Sequence, residues 1–224
     1  MKHEFHDQKK LILYAGACFA SIILLQTIMY FVFFNSISNF IQDYAWWIFY
    51  LDITIASLAG ALWYYNSYKG FMSCMACMMV AMTLAMQTGM MLGSVFGAVN
   101  GFFIGSMIGM LLGTFVGVIS GRSYPMGVVQ GAMAGVMGGT MGAMISLMMF
   151  VDNILIFMPF YMIINAGILY GFAYMYHEEV IKDNKDLIKK KIGLGKTISL
   201  TLIVTIILTS ILVYAPKSLL FPLS

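Results

Sequence analysis

The chain has 224 residues, of which 61% are hydrophobic and only 9% charged, with a formal net charge of +3. Soluble domains carry about 25% charged residues, so these proportions exclude a water-soluble fold and give no footing for a nucleic-acid partner. They indicate an all-α integral membrane protein, a single polytopic domain over residues 1–224 with no separate soluble domain.

A membrane helix needs about 20 apolar residues to cross a hydrocarbon core of ~30 Å. The chain offers seven such segments, near 11–34, 45–64, 71–97, 101–120, 126–150, 154–176 and 194–215. The first is too long for the apolar core of a cleaved signal peptide, about 7–15 residues, and reads as a retained span. The second is bracketed by Trp46 and Trp47 at one end and by Trp63, Tyr64 and Tyr65 at the other, an arrangement expected at headgroup level. From Phe71 to Gly121 no charged side chain occurs. Asn100-Gly101 is the turn candidate that divides this stretch, because both residues tolerate positive φ. The break between the fifth and sixth segments rests on Asp152 and Asn153, so a six-span arrangement stays open. Pro159 is expected to kink the sixth segment early.

Lysines and arginines concentrate in cytoplasmic loops. With seven spans Lys2, Lys9, Lys10, Lys69, Arg122 and the lysines from Lys182 to Lys196 share one face, and Lys217 alone lies on the other. The expected orientation therefore has the amino terminus in the cytoplasm and the carboxyl terminus outside, in the cell membrane.

A glycine occupies every fourth position from Gly89 to Gly121, and Gly127, Gly131, Gly135 and Gly139 resume the spacing. Each glycine costs roughly 1 kcal/mol against alanine in a soluble helix, whereas in lipid small residues four apart let two helix backbones meet. Spans three to five are thus expected to form a glycine-zipper core. The same GxxxG faces suit a homo-oligomer or a membrane partner.

Seventeen of the 22 methionines fall within 71–150, so sulfur is concentrated on the glycine helices. Residues three and four apart share a helix face. Cys74, Cys77 and Met78 therefore point one way at the start of span three, with Met82, Met86 and Met90 continuing the line. Span five carries Met133, Met137 and Met141 at the same interval. Cys18 lies at a similar depth in span one, which brings all three cysteines of the chain into one expected thiol cluster. Thiolates and thioethers are soft ligands that select Cu(I), and weak sites in series are what ion conduction requires. Methionine is equally a flexible filler for gaps beside glycine, and CxxC alone is also a redox signature.

Met86-x-x-x-Met90 followed by Gly93-x-x-x-Gly97 resembles the eukaryotic high-affinity copper-uptake family, in which a methionine pair on the second span coordinates Cu(I). The likeness covers one helix and is one of chemistry, since that family has three spans and a different separation of the two motifs.

Asp52, about seven residues into span two, suggests a proton-linked role, a polar partner on a neighbouring span, or an interfacial contact. Gln87, Gln130 and Asn165 suit interhelical hydrogen bonds, and His3, His6 and His177 are weak ligand candidates. Gly193-Leu-Gly195-Lys196-Thr197 lacks the preceding strand of a phosphate loop, so neither a nucleotide partner nor an enzyme is expected. The readings rank as follows. First comes a protein that binds and conducts Cu(I) or Ag(I) through a Cys/Met-lined helix core. Second is a non-catalytic structural or assembly subunit whose Gly/Met core only packs. Third is a membrane thiol oxidoreductase using CxxC.

Overall fold

The computed structural model describes residues 2–31, 40–69, 73–150, 154–181, 188–189 and 194–217. Among the described residues seven α-helices run in chain order: α1 (Lys2–Met29), α2 (Phe40–Ser67), α3 (Cys74–Asn100), α4 (Phe102–Ser120), α5 (Pro125–Phe150), α6 (Ile154–Tyr176) and α7 (Leu194–Tyr214). Six of them, α2 to α7, are long and apolar enough to cross a membrane, while the apolar part of α1 is the shorter Leu13–Met29. The protein is thus a multi-pass helical membrane protein in contact with the lipid bilayer. The break expected at Asp152 and Asn153 lies outside the described residues.

The division near Asn100 is as the sequence predicts. Gly101 sits alone between α3 and α4 at φ 89°, a backbone conformation that side chains with a Cβ rarely adopt. Ser73 caps the start of α3, its Oγ accepting from the Ala76 amide at 3.1 Å. Asn100, buried at that turn, donates from Nδ2 to the carbonyls of Leu212, Ala215 and Pro216, and so ties the turn to the end of α7. At the opposite end two dipeptides, Tyr68–Lys69 and Ile188–Lys189, pair antiparallel.

α3, α4 and α5 pack through their glycines. A methyl group added at Gly105 would fall 2.5 Å from the Gly97 Cα, one at Gly131 2.5 Å from the Gly117 carbonyl oxygen, and one at Gly89 2.6 Å from the Gly139 amide nitrogen. The atoms met are backbone of the facing helix, so no rotamer change creates room. The partnering order Gly121 to Gly127, Gly117 to Gly131 and Gly109 to Gly139 makes α4 and α5 antiparallel, with α3 parallel to α5. Dispersion between closely apposed backbones is what membrane helices have in place of a hydrophobic drive.

α2 is the hub of the remainder, packing on α1, α3, α6 and α7. Trp47, Trp63, Tyr64 and Tyr65, expected at headgroup level, are buried within the protein, and of this group only Trp46 is exposed. The physical reason is position: the end of α2 is enclosed by α1 and α6. Trp63 stacks on Tyr14 at 3.6 Å, and Tyr64 and Tyr65 meet Tyr176 edge-on at 6.0 and 5.8 Å.

Candidate functional site

The sulfur groups are placed by the glycine contacts. On α5 the stripe Gly127, Gly131, Gly135, Gly139 meets α4, and Gly138 and Gly142 meet the backbone of Met86 and Met90 on α3. Met133, Met137 and Met141 each stand two residues beyond a stripe glycine, a rotation of about 200°. They therefore point away from the core, 56%, 59% and 49% exposed, together with Met144 and Met148. On α3 the offset is three residues, so Met86 and Met90 border the glycine face and are half-buried, as is Met78, while Met82 is exposed. The expected Cys/Met-lined interior is thus not the arrangement found: the interior of the trio is backbone and glycine, and most ladder sulfurs lie on its outside.

The three cysteines do not converge. Cys77 is fully buried beneath the α4–α5 turn, its thiol directed at the Gly121 carbonyl oxygen 3.6 Å away. Cys74, one turn earlier, is exposed. Cys18 is buried beside Thr201 of α7. The expectation of a common thiol cluster fails because α1 packs against α2 and α7, and equal depth in the membrane does not make two helices neighbours. Among the described residues no group of three His, Cys, Asp or Glu side chains is placed to hold a metal ion.

Other sulfurs, not singled out by periodicity, do lie in the core. Met91, Met158 and Met162 are essentially fully buried. The Thr54 and Ser57 hydroxyls donate to the Tyr50 and Thr54 carbonyls of their own helix at 2.8 and 2.9 Å, with the Met162 and Met91 sulfurs 3.7 and 4.0 Å away. None of these methionines belongs to the ladders of α3 and α5, so no spacing on those helices marked them.

Among the polar residues, Asp52 is 2% exposed and accepts a 2.5 Å hydrogen bond from Gln26 Nε2 of α1, which selects the polar-partner reading over the interfacial one. Asn165 donates to the Tyr161 carbonyl of its own helix at 2.7 Å. Gln87 Oε1 is buried without a hydrogen-bond partner among the described residues. His177 is half-buried at the start of a π-helical turn, His177–Ile181, and the side chains of His3 and His6 lie outside the described residues. Lys217, beyond the end of α7, stands over the Tyr44 ring at 4.8 Å and donates to the Leu212 carbonyl, and burial pushes its ammonium down to about 8.

Comparison of the chain with protein-family models, with curated proteins and with solved structures finds no match, so the reading of this site rests on its own geometry.

Proposed function

We propose that the chain is a seven-span protein of the cell membrane, amino terminus cytoplasmic and carboxyl terminus outside, that binds a soft ion, Cu(I) or Ag(I), through sulfur displayed by α3 and α5. One observation carries the reading. The outward residues of α5 are dominated by Met126, Met133, Met137, Met141, Met144 and Met148, whereas α6 and α7 face outward with residues such as Ile156, Phe160, Ile163, Leu200, Ile203 and Ile207. Lipid contact alone is satisfied by the second composition. Filling gaps beside glycine accounts for a buried methionine, not for one on the opposite side of the helix. Thioethers in that position remain available to a soft ion, and successive ones recur about every 6 Å along the axis. The orientation is supported by the pairing of Lys69 with Ile188 and of Lys189 with Tyr68, which sets both lysines at the end of the bundle opposite Lys217.

A second reading, a structural or assembly subunit, is favoured by the close glycine packing, which accounts for α3 to α5 as a rigid unit without any ion between them. Gly167 and Gly171 of α6, with nothing within 4 Å, supply a GxxxG face for a second copy or partner helix on that reading. The thiol oxidoreductase reading is disfavoured, because Cys77 is enclosed while reactive thiols are accessible.

The deciding experiment compares wild type with the triple variant Met133→Leu, Met137→Leu, Met141→Leu, purified under reducing, anaerobic conditions and titrated with Cu(I) against a chromophoric chelator. Leucine conserves volume at a cost usually below about 1.5 kcal/mol per site, so folding and partner packing survive while three ligands vanish. The metal reading expects near-stoichiometric Cu(I) in wild type and a clear loss in the variant. Equal retention by both, or none by either, favours the subunit reading.

A further inference from the structure

A second site, independent of the sulfur face, lies where α1, α2 and α7 meet at the end of the bundle that holds the α3–α4 turn. There a cavity of about 310 Å³ is bounded by α1 and the two residues after it, by α2, and by Thr209 of α7. Its walls are almost wholly apolar and aromatic, Tyr30 and Phe49 among them, and among the described residues no basic side chain lines it. Among its lining are the polar residues Asp52, its donor Gln26, Thr27, whose hydroxyl is bound to the Leu24 carbonyl at 2.8 Å, and Thr209.

Two of these are unusual for where they are. A carboxylate at membrane depth is costly, and such residues by default serve a function. Asp52 has a neutral amide as its hydrogen-bond partner, and the lining offers no cation to balance a charge. Thr209, 3% exposed, has a hydroxyl with no hydrogen-bond partner among the described residues. On the same helix Thr201 and Thr205 bond the carbonyls of Ile198 and Thr201, both at 2.8 Å, the usual resolution for a hydroxyl in a membrane helix. Thr209 lacks that bond while lining the cavity. A buried polar group without a partner costs about 1–3 kcal/mol, so its persistence calls for a partner that arrives from elsewhere.

We propose that this cavity binds a lipophilic ammonium, an amine carrying an apolar body. The ammonium ion-pairs with Asp52, donates to the Thr209 hydroxyl and the Gln26 side-chain oxygen, and lies against the Tyr30 and Phe49 rings, while the apolar body fills the remaining volume. This is the usual build of a small-molecule site, an apolar pocket with a few convergent polar groups, and aromatic rings attract a cation over their faces. A hard metal cation is a poorer match, since it takes six or more oxygen ligands and this cavity is chiefly hydrocarbon.

The test uses the full chain in detergent, with 2-phenylethylamine as probe and 2-phenylethanol as its neutral counterpart, followed by titration calorimetry against empty micelles. Saturable binding of the amine, tighter than that of the alcohol by about tenfold or more, is expected from a charge-assisted bond. Asp52→Asn keeps the shape and the Gln26 contact, and removes that preference. Thr209→Val weakens the amine by roughly three- to tenfold, which keeps the proposal testable where Asp52→Asn does not fold. Equal affinity for amine and alcohol, undiminished binding in either variant, or no saturable binding overturns it; a carboxyl that merely holds a proton gives the first of these results.

Discussion

Gly109 and Gly167 are both helical glycines, yet alanine should be costly at the first and nearly neutral at the second. A Cβ at Gly109 would lie 2.8 Å from the Gly139 Cα, 2.9 Å from the Gly89 carbonyl oxygen and 3.1 Å from the Gly93 Cα. Carbon atoms settle at about 3.5–4.0 Å, so α4 must retreat by roughly 1 Å from α3 and α5 together, and no side chain can yield in its place. Overpacking of this kind costs about 1–3 kcal/mol. With about 2–4 °C of melting temperature for each kcal/mol in a chain of this length, Gly109→Ala should melt about 2–12 °C below wild type. At Gly167 nothing lies within 4 Å, and the change should stay within about ±0.5 kcal/mol. Size-exclusion chromatography of heated, detergent-solubilised protein reads both. A wild-type melting point for Gly109→Ala, or an equal loss for Gly167→Ala, would refute the backbone-contact account of α3 to α5.

Lys217 gives a pH signature. Burial holds its folded ammonium at about 8 against an ordinary value of 10.5, so the unfolded chain binds the proton more tightly and this lysine's penalty on the fold lifts as pH climbs between those values. Wild type should therefore gain melting temperature relative to Lys217→Met between pH 8 and 10; parallel curves would contradict the burial. Thiol labelling separates the cysteines: N-ethylmaleimide should modify Cys74 quickly in the native protein, and Cys18 and Cys77 only after denaturation. Native labelling of Cys77 at the Cys74 rate would contradict its enclosure beneath Gly121. At the far turn, Asn100→Leu removes donors to three carbonyls at the end of α7 and should destabilise by about 1–3 kcal/mol, measured by the same thermal assay; an unchanged melting point would deny the tie between α7 and the α3–α4 turn.

The helices and their glycine contacts were largely legible because both follow from local periodicity. A four-residue interval marks a face, and Asn100-Gly101 marks the turn, whatever surrounds them. The side on which the methionines fall was written in the same register, in the two-residue offset between Gly131 and Met133, Gly135 and Met137, and Gly139 and Met141. Taken as a rotation of about 200°, that offset turns the α5 ladder outward. The cysteine cluster was out of reach for a different reason. Depth along the membrane normal is encoded by distance from a helix end, but the order of helices around a bundle arises from packing, which sets Cys18 beside Thr201 and away from Cys77. The cavity at Asp52 was illegible for the same cause, since Gln26, Asp52 and Thr209 belong to three helices with no shared pattern.

Copper K-edge X-ray absorption on the Cu(I)-loaded full chain tests the central claim most directly. Sulfur displayed by α3 and α5 predicts a first shell of sulfur alone in wild type, lost or depleted in the Met133→Leu, Met137→Leu, Met141→Leu variant. A shell of nitrogen or oxygen, or a sulfur shell unchanged in that variant, would contradict it.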